Sequence, residues 1–224
     1  MKKEEWIKQY ALENGADVCG IGAIERFESF PQSFAPTDIW NKCKSVIAFG
    51  IALPKGLFDV EARLIYAHYN ELICTVMDEL LLKTAKKLEE TYNCHAVPMP
   101  ADGPYEYWDA ERMHGKGLVS MKHAAAACGL GEIGKSTLLL NETYGNRLVL
   151  GILLTDLELE SDPLVTGICI KGCTKCIDNC PVHAITEDGV NQKACRTNTY
   201  GTNARGFGTV DCNRCRAMCP RNGH

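Results

Sequence analysis

The sequence predicts a mixed α/β (α+β) body followed by a small module organised by cysteines. Three observations carry this. Apolar runs of strand length alternate with helix-patterned stretches over residues 1–160, as in a layered sheet-and-helix domain. Eight of the 13 cysteines fall in the last 56 of 224 residues. Hydrophobic residues make up 46% of the chain, enough to close a core around one sheet.

Each element has its own reason. Residues 3–14 read as a short helix, with Trp6, Ile7, Tyr10 and Ala11 on one face and Gly15 as its stop. Residues 17–24 (DVCGIGAI) read as a strand. The aromatic, proline-containing stretch 25–43 reads as a packed loop with short helical turns. Residues 45–53 (SVIAFGIAL) form a buried strand, ended by Pro54 and Gly56. A long amphipathic helix is expected over 60–92, with Leu64, Ile65, His68, Leu72, Val76, Leu80 and Leu88 as its stripe. His68 on that stripe reads as a core or loop-facing residue rather than a ligand. A short strand follows at 96–98. The loop 99–117 is polar, aromatic and glycine-rich, and loops of this length in compact domains are usually functional. An alanine-rich helix is expected over 119–128, and a strand over 147–157 in a hairpin-like or edge position. The boundary between body and module falls between residues 160 and 161.

The cysteines run Cys169-x3-Cys173-x2-Cys176-x3-Cys180-Pro181, then Cys195, then Cys212-x2-Cys215-x3-Cys219-Pro220. Eight thiolates complete two 4Fe–4S clusters, four to each, as in a two-cluster ferredoxin-like module. A pair of structural zinc sites is the alternative. The third close cysteine and the Cys-Pro of each motif favour clusters. Cys169, Cys173 and Cys176 share one tight loop and cap three irons of the first cluster. By the ferredoxin rule Cys180 crosses to the second, joining Cys212 and Cys215, and Cys219 crosses back to the first. Cys195 is then the fourth ligand of the second. The remaining five cysteines are scattered and read as reduced thiols of a cytoplasmic protein.

The net charge of -4, with no basic run, argues against a dedicated nucleic-acid binder. No apolar stretch has the length of a membrane span, so no membrane partner is expected. MKKEEWIKQY lacks the apolar region of a signal peptide. Oligomeric state leaves no mark in the sequence.

Gly129-Leu-Gly-Glu-Ile-Gly134-Lys135-Ser136 matches the phosphate-loop pattern G-x4-G-K-S/T by letter. That motif needs a buried strand feeding it, whereas HAAAAC before it reads as a helix. The alternative is a glycine-rich turn that lets backbones approach closely.

The run SMKHAAAACGLGEIGKSTLLLNETYGNRLVLGILLTDLEL (120–159), together with the eight cysteines, resembles the epoxyqueuosine reductases, which are related to corrinoid-dependent reductive dehalogenases. GADVCGIGAIE (15–25) and KSVIAFGIALP (44–54) resemble the strands that open that family's fold. The resemblance implies a nitroreductase-like, cobalamin-binding three-layer domain docked on the ferredoxin-like module. It implies a low-potential donor of ferredoxin or flavodoxin type, with electrons passing through both clusters to cobalt and on to a small-molecule or corrinoid acceptor. The glycine run with Gly129, Gly131, Gly134, Lys135 and Ser136, and the stretch 144–151 with Tyr144 and Gly145, would then lie against the corrin. Flavin is the second choice of flat cofactor.

Two departures bear on the activity. The family's proton-donating aspartate stands in Asp-x-Gly-Pro just before the alanine-rich helix, where this chain has GKGLVSMKH. Asp102-Gly103-Pro104 is the candidate for a displaced counterpart. The chain ends five residues after Cys219, so the tRNA-binding helical tail is not expected. Asp102, Tyr105 and His114 are the candidate proton donors, with Tyr107, Asp109 and His123 behind them. Trp108 stacks on a macrocycle or, as the simpler reading, seals a core. The function these readings favour is a corrinoid-linked iron–sulfur reductase. The alternative is a non-catalytic electron carrier.

Overall fold

The run SVIAFGIA is buried along nearly its whole length. It forms the centre of the fold in a computed structural model that describes residues 1–60, 63–103 and 107–222. In chain order the body comprises α1 (Lys3–Glu13), β1 (Val18–Ala23), α2 (Pro36–Ile39), β2 (Ser45–Ala52), α3 (Arg63–Tyr92), β3 (Ala96–Pro98), β4 (Tyr107–Asp109), β5 (His114–Lys116), α4 (Met121–Ala127), β6 (Glu132–Ile133), β7 (Leu139–Leu140) and β8 (Leu148–Thr155). Four strands form one sheet in the order β1-β2-β8-β3, and each neighbouring pair is antiparallel. The edge position expected for residues 147–157 is therefore corrected: β8 lies inside the sheet, between β2 and β3. LVLGILLT carries apolar residues at successive positions, the pattern of a strand covered on both faces.

Both faces are covered. Ile47, Phe49 and Leu153 point to Ile7 and Ala11 of α1 and to Met77, Leu81 and Leu88 of α3. Val46, Ala48, Ile152 and Leu154 point the other way, to Ala124 and Ala125 of α4. The body is thus a helix–sheet–helix sandwich. The stripe expected for α3 is rotated. Leu80 and Leu88 are buried, but Leu64, Ile65, Leu72 and Val76 are all more than 40% exposed, and Met77, Leu81 and Ala85 take their place in the core. The helix is apolar on two flanks, and the sheet selects the one that fits. At Gly151 of β8 an added Cβ would come within 2.6 Å of Met77 Cγ, so this glycine sets how closely α3 can approach. His68 is exposed, its ring 5.2 Å from that of Tyr69.

The C-terminal segment adds α5 (Lys175–Asp178), β9 (Ile185–Thr186), β10 (Gly189–Val190), α6 (Gln192–Thr199), β11 (Tyr200–Thr202), β12 (Gly208–Val210) and α7 (Arg214–Ala217). The strands pair as two small antiparallel hairpins. Val210 and Ala217 pack on a cluster of Leu53, Leu57, Phe58 and Tyr66. Buried Arg147 bridges the two parts, donating from Nη1 to the Leu53 carbonyl at 2.5 Å and from Nε to the Asn222 carbonyl at 2.8 Å. The chain around the expected boundary is strapped to the outer edge of β1. Asp162 exchanges two hydrogen bonds with the Ile21 backbone, at 2.8 and 2.9 Å, and also pairs with Lys8. Ser161 Oγ accepts from Ala23 N at 2.8 Å. That edge, otherwise open to unwanted pairing, is thereby covered. No helix among the described residues is long and apolar enough to cross a membrane.

Candidate functional site

The cysteine motifs fold into two short loops, each leading into a four-residue helix, α5 or α7. Cys169, Cys173 and Cys176 line one cavity together with Cys219 of the other motif. Cys180 lines a second cavity with Cys195, Cys212 and Cys215. Each Cys-Pro thus faces the cavity built mainly by the other motif. Among the described residues, no three His, Cys, Asp or Glu side chains converge on one point as a single metal ion requires. The thiols stand around the two cavities instead. Burial pushes Cys215 up to about 11, and the neighbouring Arg216 charge pulls the other way. As a bare thiol it stays protonated, so its use as a thiolate needs a cationic partner such as iron. Cys19 and Cys43 lie away from both cavities, pushed by burial to about 12 and about 11. They are unreactive core thiols.

The glycine-rich segment lies against the first cysteine cavity. Lys135 and Ser136 stand on its wall. Lys135 Nζ also pairs with Glu187 at 2.9 Å. Glu132, in the middle of the run, accepts hydrogen bonds from Gly167 N at 2.8 Å and from Cys169 N, which fixes the start of the cysteine loop. Glu132 was missed in the sequence, because a carboxylate bonding a backbone 35 residues away leaves no local pattern.

A third cavity, of about 580 Å³, opens between the body and the C-terminal segment. This lies within the size range of ligand sites. Leu148, Val149 and Leu150 of β8, with Leu118 and Leu139, give it apolar walls, and Lys122, Asp102, Arg196 and Arg216 give it charge. Asn70, Leu138, Tyr200 and Arg216 stand on its wall and on that of the second cysteine cavity. The two spaces are neighbours.

Several residues expected to contact a cofactor, Gly129, Gly131, Gly134, Lys135, Ser136, Tyr144 and Gly145, lie outside the lining of the large cavity. The glycines are instead points of close backbone approach. At Gly131 (φ +157) a Cβ would collide with the Leu140 carbonyl, and at Gly145 (φ +58) with that of Arg221. Tyr144 lies beside Arg147, whose guanidinium is 5.9 Å from its ring centre. Of the stretch 144–151, Asn146 and residues 148–150 reach the cavity.

Asp102 lines the large cavity. His114 does not; it pairs with Asp109 across the β4–β5 hairpin. Tyr105 lies outside the described residues. Trp108 does not seal a core. It is 47% exposed, with the Arg196 guanidinium 5.2 Å above its ring. The hairpin also meets α6 where Thr197 Oγ1 donates to Met113 Sδ at 3.5 Å. His123 Nδ1 bonds Ser120 Oγ at 2.7 Å. Lys122, Arg196 and Arg216 were missed in the sequence; they come from segments far apart and share no spacing.

No known family model matches the chain. The epoxyqueuosine reductase of Lactococcus garvieae is 36% identical over 110 residues, covering 44% of this chain and 30% of that protein. That of Bacillus subtilis is 24% identical over 98% of this chain and 63% of its own length. A structure of the Bacillus subtilis enzyme, described with its catalytic aspartate loop swung out of the active site, superposes with a TM-score of 0.72 at 20% identity, over 97% of this chain and 64% of that one. The chain is a divergent relative of the epoxyqueuosine reductases.

A reductive dehalogenase, whose structure was described as suggesting a mechanism for B12-dependent dehalogenation, gives a TM-score of 0.71 at 20% identity, over 96% of this chain and 31% of that one. The fold is therefore shared. This chain spans less than two thirds of the length of the relatives named here. An epoxyqueuosine reductase has also been solved with a modified tRNA stem loop, with a TM-score of 0.70 at 19% identity, over 97% of this chain and 64% of that one.

Proposed function

We propose that this protein is a corrinoid-linked iron–sulfur reductase. Residues 1–160 form the body of the reaction site, and residues 161–224 form a two-cluster relay. The observation that supports this most directly is the wall shared by the second cysteine cavity and the large cavity at Asn70, Leu138, Tyr200 and Arg216. On this reading Cys169, Cys173, Cys176 and Cys219 hold the outer 4Fe–4S cluster, and Cys180, Cys195, Cys212 and Cys215 the inner one. A ferredoxin- or flavodoxin-type donor delivers electrons to the outer cluster. The donor sets fit: each cavity has four thiols, three from one stretch and one from another in the first, and Cys212 and Cys215 with the more distant Cys180 and Cys195 in the second, and four thiolates suit a cube.

The large cavity takes the corrinoid and substrate. A bound corrinoid supplies a low-potential cobalt able to pass electrons to a reducible bond. The chain's own residues do the rest. Leu148 and Leu150, on one face of β8, give an apolar wall along which a flat ring can lie. Asp102 presents its carboxyl on the cavity wall, within the loop that precedes the β4–β5 hairpin. The reducible substrate is a small molecule or, as for the relative solved with tRNA, a nucleic-acid base. We place the protein in the cytoplasm, where its thiols stay reduced.

The test is an anaerobic absorbance spectrum with iron, sulfide and cobalt assays, before and after addition of cob(II)alamin. About eight iron and eight sulfide per chain, with a shift of the corrinoid spectrum, is the expected result. Cys215→Ser should damage the inner cluster and abolish electron delivery from a reduced ferredoxin. Full iron without corrinoid uptake would leave an electron carrier, and full delivery in the variant would sink the relay.

A further inference from the structure

Among the described residues, the lining of the large cavity carries three cations, Lys122, Arg196 and Arg216, and one carboxylate, Asp102. Lys122 Nζ donates to the Thr137 carbonyl at 2.6 Å, and Arg216 Nη1 to the Asn146 carbonyl at 2.6 Å. Among the described residues neither has a carboxylate partner; Lys122 is met by a carbonyl dipole, and Arg216 by a carbonyl and by the neighbouring Cys215. Arg196 is set between two rings, 5.2 Å from Trp108 and 5.9 Å from Tyr200. Burial lowers the Lys122 pKa, the expected cost of a cation held without its anion. A partly buried charge of this kind is stabilised by pairing, and a ligand can supply the pair.

We propose that the large cavity is an anion-binding site. Lys122, from the body, and Arg216, from the C-terminal segment, are its receptors for a phosphate or carboxylate. This rests on the reading of the cavity as the reaction site, and it specifies the ligand's charge. The anionic group is carried either by the substrate or by the nucleotide arm of the corrinoid. Arg216 also stands on the wall of the second cysteine cavity, so an anion seated on it lies at the boundary that electrons cross.

The experiment titrates cluster-loaded protein with inorganic phosphate by calorimetry, at constant ionic strength and with chloride as control. The same protein is then titrated with cobalamin and with cobinamide, which lacks the phosphate arm, by absorbance. Phosphate should bind more tightly than chloride. Lys122→Met should weaken it about tenfold, and Lys122→Arg should restore it. Unchanged iron content verifies that the variants are folded. Arg216→Met should act in the same direction, but the Lys122 pair decides the question even if that variant misfolds.

If Lys122→Met also weakens cobalamin but not cobinamide, the anion is the corrinoid's phosphate. If both corrinoids bind the variant as before, the anion belongs to the substrate. Phosphate binding no tighter than chloride, or binding indifferent to Lys122→Met, overturns the proposal. Phosphate binding through Lys122 in a protein that takes up no corrinoid upholds this inference and removes the corrinoid reading. Corrinoid uptake without phosphate binding does the reverse.

Discussion

Glu132 shows how one side chain can tie two distant segments into a site. It sits between two glycines of the GLGEIG run and bonds the backbone at Gly167 and Cys169. A carboxylate accepting two N–H bonds holds a loop more firmly than a neutral acceptor does. Glu132→Ala should therefore loosen the first cysteine loop while leaving the second cysteine cavity unaffected. We expect the variant to lose about half its iron. Full retention of iron on gel filtration would show that the loop needs no such anchor. Cys169 could be read from the sequence because ligand chemistry demands local spacing. Glu132 could not, because its partners are set by how the glycine run packs on the segment after residue 165.

Individual elements show what periodicity can and cannot specify. The helix over 63–92 and the strand over 45–52 were legible, since long apolar patterns are robust to local detail. The rotation of α3 was not, since Leu64, Ile65, Leu72 and Val76 are as apolar as the residues that became buried. The junction of β8 with β3 is held by Asp156. It accepts from His95 N at 2.9 Å and bonds His95 Nδ1 at 2.8 Å. Burial raises its pKa, but the His95 hydrogen bonds and charge outweigh this and leave it below the ordinary 3.8. A carboxyl depressed in the folded state adds stability above its unfolded pKa, and that stability is lost as pH falls through the folded value. Asp156→Ala should cost about 1 kcal/mol near neutral pH, with the gap to the parent closing as pH falls through and below the ordinary carboxylate range. Urea unfolding at neutral and at acid pH measures it; an equal gap at both would rule out the charged form as the source.

Across the whole molecule, the two parts have unequal means of folding. The sheet is packed on both faces by fully buried side chains, among them Ile47, Phe49, Ile152 and Leu153. The C-terminal segment has a small core in which Ala184 and Ile185 are joined by Cys180. A segment with so few buried apolar groups depends on metal links or on docking for its order. Removing iron by chelation under anaerobic conditions should speed amide exchange through α5, α6 and α7 while β2 and β8 stay protected. Uniform protection after chelation would show that docking through Arg147 and Val210 is sufficient by itself.

The sequence alone determined the mixed α/β character, the main strands and helices, and the grouping of cysteines into motifs. Each of these rests on short-range rules: side-chain periodicity, breaker residues and ligand spacing. It also marked Asp102 as a residue to watch. Only the tertiary structure decided that β8 is central, that Trp108 lies under Arg196, and that the glycine run packs against carbonyls instead of lining the large cavity. It alone assembled that cavity from Asn70, Asp102, Lys122, residues 148–150, Arg196 and Arg216. Such a set is fixed by the docking of two parts of the chain, a long-range packing outcome that no local spacing encodes.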